Sequence, residues 1–237
     1  MRKLLLLLFV LKGVASFPQS STIQDTSIAN QFEEAIFSTQ QNQGISSPLY
    51  NGIIHTGYAK TIAGIGYYYS ADWLRGTVYF ENAIYQQVPI KYDLVADQLI
   101  VKRPDGFGIN LFSPRVSWFM INDSKFIYVD GKSFNGSLSP GFYQQMQEGK
   151  VQLLYKRSKK INEKITNRVE QQFVDVVRFY IIQGAAVHEV KNLSSVLTVL
   201  NDRRKELKDF LKENKLKYKK DPEMVLDKMV AYYNQLH

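Results

Sequence analysis

Cysteine is absent from the 237 residues. Its absence removes disulfides, thiolate metal ligands and cysteine nucleophiles together, so the fold must hold by burial alone. Histidine is scarce as well: His55, His188 and His237 are too few and too scattered for a metal-site pattern. His188 stands beside Glu189, but neighbours on a strand point to opposite faces. After the N-terminal stretch no segment approaches the run of about 18 apolar residues that a membrane helix needs, so the mature chain is expected to have no transmembrane span.

Catalytic signatures are missing too. "DGKS" (Asp130–Ser133) has the ending of a phosphate loop, but Phe126 stands where the loop requires its first glycine. "GIGYYY" has two glycines, no third, and no helix after it, which excludes a dinucleotide loop. The chain has no Gly-x-Ser-x-Gly elbow and no Ser-x-x-Lys pair, and Ser137 and Ser139 have no nearby base in sequence. Glu81, Asp93, Asp97 and Asp105 fall at strand ends or turns, where acids are ordinary. Neither catalysis nor a cofactor is expected.

What is present begins with "MRKLLLLLFVLKGVASFPQ". A basic start, an apolar run from Leu4 to Leu11, and small residues before Phe17 have the layout of a secretory signal peptide over residues 1–16. The mature protein is therefore expected in the periplasm or outside the cell, soluble or peripherally attached to the envelope. Loss of Arg2, Lys3 and Lys12 takes the net charge from +8 to +5. Roughly 220 residues remain, enough for one domain with a substantial core.

Residues 17–57 are polar and rich in Gln, Ser and Thr, with one helix-like patch, "NQFEEAIF", and are expected to be only partly ordered. Over 58–190 the texture is β-branched and aromatic. Runs such as "GYAKTIAGIGYYYS", "GTVYF", "AIYQQVPIKYDLV", "RVSWFMI" and "VQLLYKR" are punctuated by "ENA", "PDG", "NDS" and "DGKSFNG". This predicts an antiparallel β-meander, a sandwich or half-barrel-like sheet. "RVEQQFVDVVRFYIIQG" reads as a long strand, with a first half equally compatible with helix.

Over 191–237 the period changes to that of helices. Ser194 and Asp202 are candidate N-caps, and Asp221 followed by Pro222 is a strong start signal. Leu226, Met229, Val230, Tyr233 and Leu236 form one helical face. The Lys-rich stretch "NDRRKELKDFLKENKLKYKK" reads as a docked amphipathic helix: Leu207, Phe210 and Leu211 face inward, and Lys205, Asp209 and Lys212 are spaced as on a solvated surface. The fold class is α+β, a β-meander with a C-terminal helical appendage packed on it.

The segments "GTVYFENAIYQQVPIKYDLVADQLIV" and "DRRKELKDFLKENKLKYKKDPEMVLDKMVAYYNQL" resemble a hairpin signature and a Lys-rich helical tail of uncharacterised exported proteins from Bacteroidota-type bacteria. The resemblance implies compartment and architecture, and no functional residues come with it.

Two stretches are candidate binding surfaces. Lys156, Arg157, Lys159 and Lys160 form the densest basic spot, suited to a polyanionic envelope surface; the ordinary alternative is a solvated hairpin kept from edge pairing by its lysines. Tyr67, Tyr68 and Tyr69 could present aromatics to a glycan or protein, or simply pack. Export and the lack of aromatic–basic interleaving argue against nucleic acid. The reading is an exported, monomeric, non-catalytic binding or scaffold protein of the envelope, its partner a protein, glycan or lipid. The alternatives are a half-open β-structure carrying an apolar ligand and, behind it, a hydrolase with a hidden site.

Overall fold

The computed structural model describes residues 44–165 and 169–236. The expected signal peptide, the helix-like patch "NQFEEAIF" and the rest of residues 17–43 lie outside the described residues.

Among the described residues, eleven antiparallel strands form one sheet. In chain order they are β1 (Ile53–Ile54), β2 (Leu74–Phe80), β3 (Ala83–Asp93), β4 (Gln98–Lys102), β5 (Gly108–Asn110), β6 (Val116–Ile121), β7 (Ser124–Val129), β8 (Gly141–Gln147), β9 (Val151–Ile165), β10 (Val169–Gln183) and β11 (Ala186–Val190). Their order across the sheet is β1-β5-β4-β3-β2-β6-β7-β8-β9-β10-β11. After β11 the described residues form the α-helices α1 (Leu193–Val199), α2 (Arg204–Glu213) and α3 (Pro222–Gln235). The α+β expectation therefore holds. Residues 44–57, read as part of a polar leader, are built into the fold: Leu49 is buried in the core and β1 pairs with β5 at one sheet edge.

Local chemistry explains the meander. Glu81 and Asn82 both take left-handed backbone angles between β2 and β3, as a two-residue type I′ hairpin requires. Inward positions of successive strands alternate with outward ones. Tyr92, Phe119, Phe126 and Phe142 thereby meet inside the curl of β3, β6, β7 and β8, with ring centroids 4.9–5.8 Å apart. The sheet bends enough that Leu94, just past β3, accepts a 2.8 Å bond from the Lys159 amide on β9. The inside of this curl is filled by aromatic rings.

A second core lies between the sheet and the helices. Leu153, Tyr155 and Ile181 face Val196, Leu207, Leu211, Leu226, Met229, Val230 and Tyr233. Leu154, Tyr180 and Ile182, on the opposite face, pack with Val129, Leu138 and Tyr143. Burial on both faces explains why Leu153, Leu154 and Tyr155 are apolar in succession. Asp221 caps α3 by accepting from the Met224 amide at 3.0 Å, with Pro222 in the first turn. The other two expected caps shift. Asn192, not Ser194, caps α1 in a reciprocal box with Ser195, and α2 has no side-chain cap. Asp202 instead accepts the Tyr233 hydroxyl at 3.0 Å.

The segment "RVEQQFVDVVRFYIIQG" is strand wherever it is described. β10 pairs residue by residue with β9 over 15 positions, about 50 Å at the rise of an extended chain. β8 pairs with β9 only as far as Tyr155, so the outer half of the β9–β10 hairpin continues past β8 as an arm.

Candidate functional site

Residues 57–70, which read as a strand, are mostly irregular. Gly64 and Tyr69 have positive φ, and the ends of the segment bond to different strands. The Ala63 amide donates to Gln171 and its carbonyl accepts from Phe173, both on the arm. Three residues later the chain reaches β3: Leu94 donates to the Gly66 carbonyl and Tyr68 to that of Tyr92. β2 pairs with β3 only up to Ile90, so residues 66–68 occupy the stretch of β3 edge that β2 leaves uncovered. The segment thus ties the outer face of the sheet to the arm.

That path brings together side chains far apart in sequence. Tyr58 Oη donates to both Asp93 carboxylate oxygens, at 2.8 and 2.7 Å. Asp93 is 1% exposed and also accepts the Val95 and Ala96 amides, which shapes the turn after β3. Burial, then the bond to Asp93, pushes the Tyr58 hydroxyl well above the usual phenol range. Tyr67 Oη lies 2.8 Å from His55 Nε2. Burial lowers the His55 pKa, favouring the neutral ring. Phe173, from the arm, meets Tyr58 edge to face at 5.2 Å. Gly66 makes this meeting possible: a Cβ there would sit 2.9 Å from the Tyr58 ring and 3.1 Å from Phe173. Replacing Tyr58 with Phe is expected to cost about 1.5 kcal/mol, the low end for a bond to a charged group because Tyr58 is only half-buried; urea denaturation measures it.

The cation of the cluster is Lys91, on the outward face of β3. Its Nζ lies 5.1 Å from the Tyr67 ring centroid and 4.6 Å from that of Trp73, which Lys102 approaches at 6.0 Å. Gly108 lets Trp73 lie close, since a Cβ there would be 3.2 Å from the indole. No described carboxylate comes within ion-pair distance of Lys91; Asp72 acts on it from farther away, and burial lowers its pKa. A cleft of about 370 Å³ opens beside it, lined by Tyr58, Ile62, Gly66, Tyr67, Lys91 and Phe173. Small-ligand pockets span about 300–1,000 Å³.

The two surfaces expected from sequence are dispersed. Tyr67 belongs to this cleft. Tyr68 turns inward, its ring 5.0 Å from Phe126 and its hydroxyl 2.8 Å from Ser124 Oγ. Tyr69 is 75% exposed and turns away on a left-handed backbone. The three tyrosines form no shared platform. The basic run is also split by strand alternation. Lys156 Nζ donates to Asp97 at 2.5 Å and to the Phe142 carbonyl at 3.0 Å. Arg157, on the other face, clamps Glu223 at 2.6 and 3.2 Å and bonds Gln144. Lys159 pairs with Asp175 at 3.3 Å, and Lys160 alone is exposed. The run is therefore not one continuous basic face, because its first two members hold the β-sheet to its own turn and helix.

Sequence reasoning missed His55, Tyr58, Trp73, Lys91 and Phe173, and saw Asp93 only as a turn acid. Alternation in "VPIKYD" was a usable signal that Lys91 and Asp93 share an outward face. Nothing local indicates that Tyr58 and Phe173 arrive above them.

Among the described residues no group of three His, Asp or Glu side chains is arranged to hold a metal, and no helix is long and apolar enough to cross a membrane. Set against protein-family models, curated proteins and solved structures, the chain matches none.

Proposed function

We propose that this chain is an exported, non-catalytic binding protein of the cell envelope, and that the cleft beside Lys91 is its ligand-facing surface. The observation that carries this reading is an open cleft walled by Tyr58, Tyr67 and Phe173, on a scaffold whose two principal cores are filled. Aromatic walls with a few fixed polar groups suit a sugar ring or a peptide side chain. The polar groups that could do chemistry are committed to one another: Asp93 to Tyr58 and its own turn, and His55 to Tyr67. Export rests on the leader-like residues 1–16. An apolar carrier would need a lumen, and Tyr92, Phe119, Phe126 and Phe142 occupy the inside of the curl.

The test is incubation of the purified protein with isolated envelope polysaccharide, followed by mass spectrometry of the bound and free fractions. Retention of intact polymer, lost on replacing Tyr67 with Ala, is the expected result. Release of cleaved products would overturn the reading in favour of a hydrolase. Recovery of bound lipid instead would overturn it in favour of the carrier, and no retention would also sink it.

A further inference from the structure

Resting on that reading, the geometry points to an acidic ligand: we propose that Lys91 is the anion-binding point of the cleft and that the ligand is a sugar residue bearing a carboxylate or phosphate. Four observations converge on this. Lys91 Nζ is held between the Tyr67 and Trp73 rings and has no carboxylate at ion-pair distance among the described residues. Asp93, the buried acid of the cluster, is saturated by Tyr58 and two backbone amides. Lys60 lines the same cleft and Lys102 stands over the same indole, so three lysines stand against two neighbouring acids, Asp72 and the hydrogen-bonded Asp93. Finally, Lys91 is partly desolvated. An anion entering beside it would gain a charge-assisted bond in a low-dielectric setting, while the Tyr58–Phe173 wall takes the apolar face of the sugar ring.

The ordinary alternative is a lysine whose stem merely covers Trp73. Such a lysine predicts no ligand discrimination, which separates the two readings.

The chain has two tryptophans, Trp73 and Trp118. Replacing Trp118 with Phe leaves Trp73, 4.6 Å from Lys91, as the sole reporter of binding. The probes are oligogalacturonate, its neutral counterpart oligogalactan, and a phosphomannan. Quenching of Trp73 by one acidic polymer but not by oligogalactan is the expected result, and comparing the two acidic polymers separates carboxylate from phosphate. Lys91→Gln is expected to weaken acidic binding at least about tenfold and to flatten its salt dependence. Lys91→Arg should retain binding, and Lys160→Gln should leave it unchanged. An unchanged urea midpoint for Lys91→Gln certifies folding.

Equal affinity for oligogalactan and the acidic polymers, or acidic binding unaffected by Lys91→Gln, would overturn the inference while leaving the cleft as a glycan site. Failure of all three polymers to bind would overturn the inference and weaken the underlying reading as well.

Discussion

Truncation of Phe126 to Ala is expected to lower the unfolding free energy by about 3–5 kcal/mol, the usual loss for a buried phenylalanine. Phe126 is fully buried and stacks on Phe119 at 4.9 Å with nearly parallel planes. It also meets Tyr92 and Tyr68 edge to face, each at 5.0 Å. The cavity left behind would lie at the centre of a curl whose walls are held by strand pairing on several sides, so collapse into it is restricted. The urea midpoint should fall with little change in slope. A loss under about 1 kcal/mol would mean the aromatic cluster is not the packed core described above. Tyr68 ties this core to the cleft, because its neighbour Tyr67 lines the cleft proposed to take the ligand. Lower affinity for any cleft ligand should therefore accompany the loss of stability.

Replacement of Asp97 by Ala is expected to cost about 3 kcal/mol, the low end for breaking a buried ion pair. Asp97 Oδ2 accepts from Lys156 Nζ at 2.5 Å, and Oδ1 accepts the Tyr92 hydroxyl at 2.5 Å. The pair is 17% and 26% exposed, so some solvent screening remains and the upper end of the range does not apply. Removing the acid strands the Lys156 ammonium and one phenol inside the curl. The Tyr92 hydroxyl is already pushed far above the usual phenol range, by burial first and by Asp97 second. Combining Asp97→Ala with Lys156→Met should cost less than Asp97→Ala alone, because no unpaired charge is then left behind. A double-mutant cycle measures the coupling; strict additivity would refute the structural role assigned to this pair.

Gly141 belongs to the same arrangement. Its φ is +141°, and a Cβ would collide with the Asp97 carboxylate and the Lys156 ammonium. The glycine that opens β8 therefore also makes room for the ion pair.

Much of the architecture was legible because it rests on local rules. Alternation over short β-branched runs, with Asn, Asp and Gly between them, specified the antiparallel sheet. The Asp221–Pro222 step marked the start of α3 to the residue, and the stripe of Leu207 and Leu211 is buried as its spacing requires. The cap of α1 was misplaced by two residues because Asn, Ser and Ser in "NLSS" are all competent acceptors. Only the extended backbone at Asn192, with Ser195 reaching back, selects among them.

The candidate site was not legible, for a different physical reason. Tyr58 and Asp93 are 35 positions apart, and Lys156 and Asp97 are 59 apart. Their meeting depends on how far β2 extends along β3, on the curl that brings Leu94 to Lys159, and on the overhang of the β9–β10 arm. None of these quantities is encoded in a local period. Conversely, the most conspicuous basic run in the chain proved to be split, because a strand sends neighbouring side chains to opposite faces.

The sequence by itself determined the class of fold, the strand and helix periods and the strongest helix start, since each follows from residue type and short-range spacing. Tertiary structure alone decided which charges are paired within the fold and which are not. Lys156 and Arg157 became internal ties, whereas Lys91, unremarkable in the sequence, was left between two aromatic rings at the mouth of a cleft. Long-range register and curvature set those distances, and distance decides whether a charge is satisfied within the fold or remains available to bind.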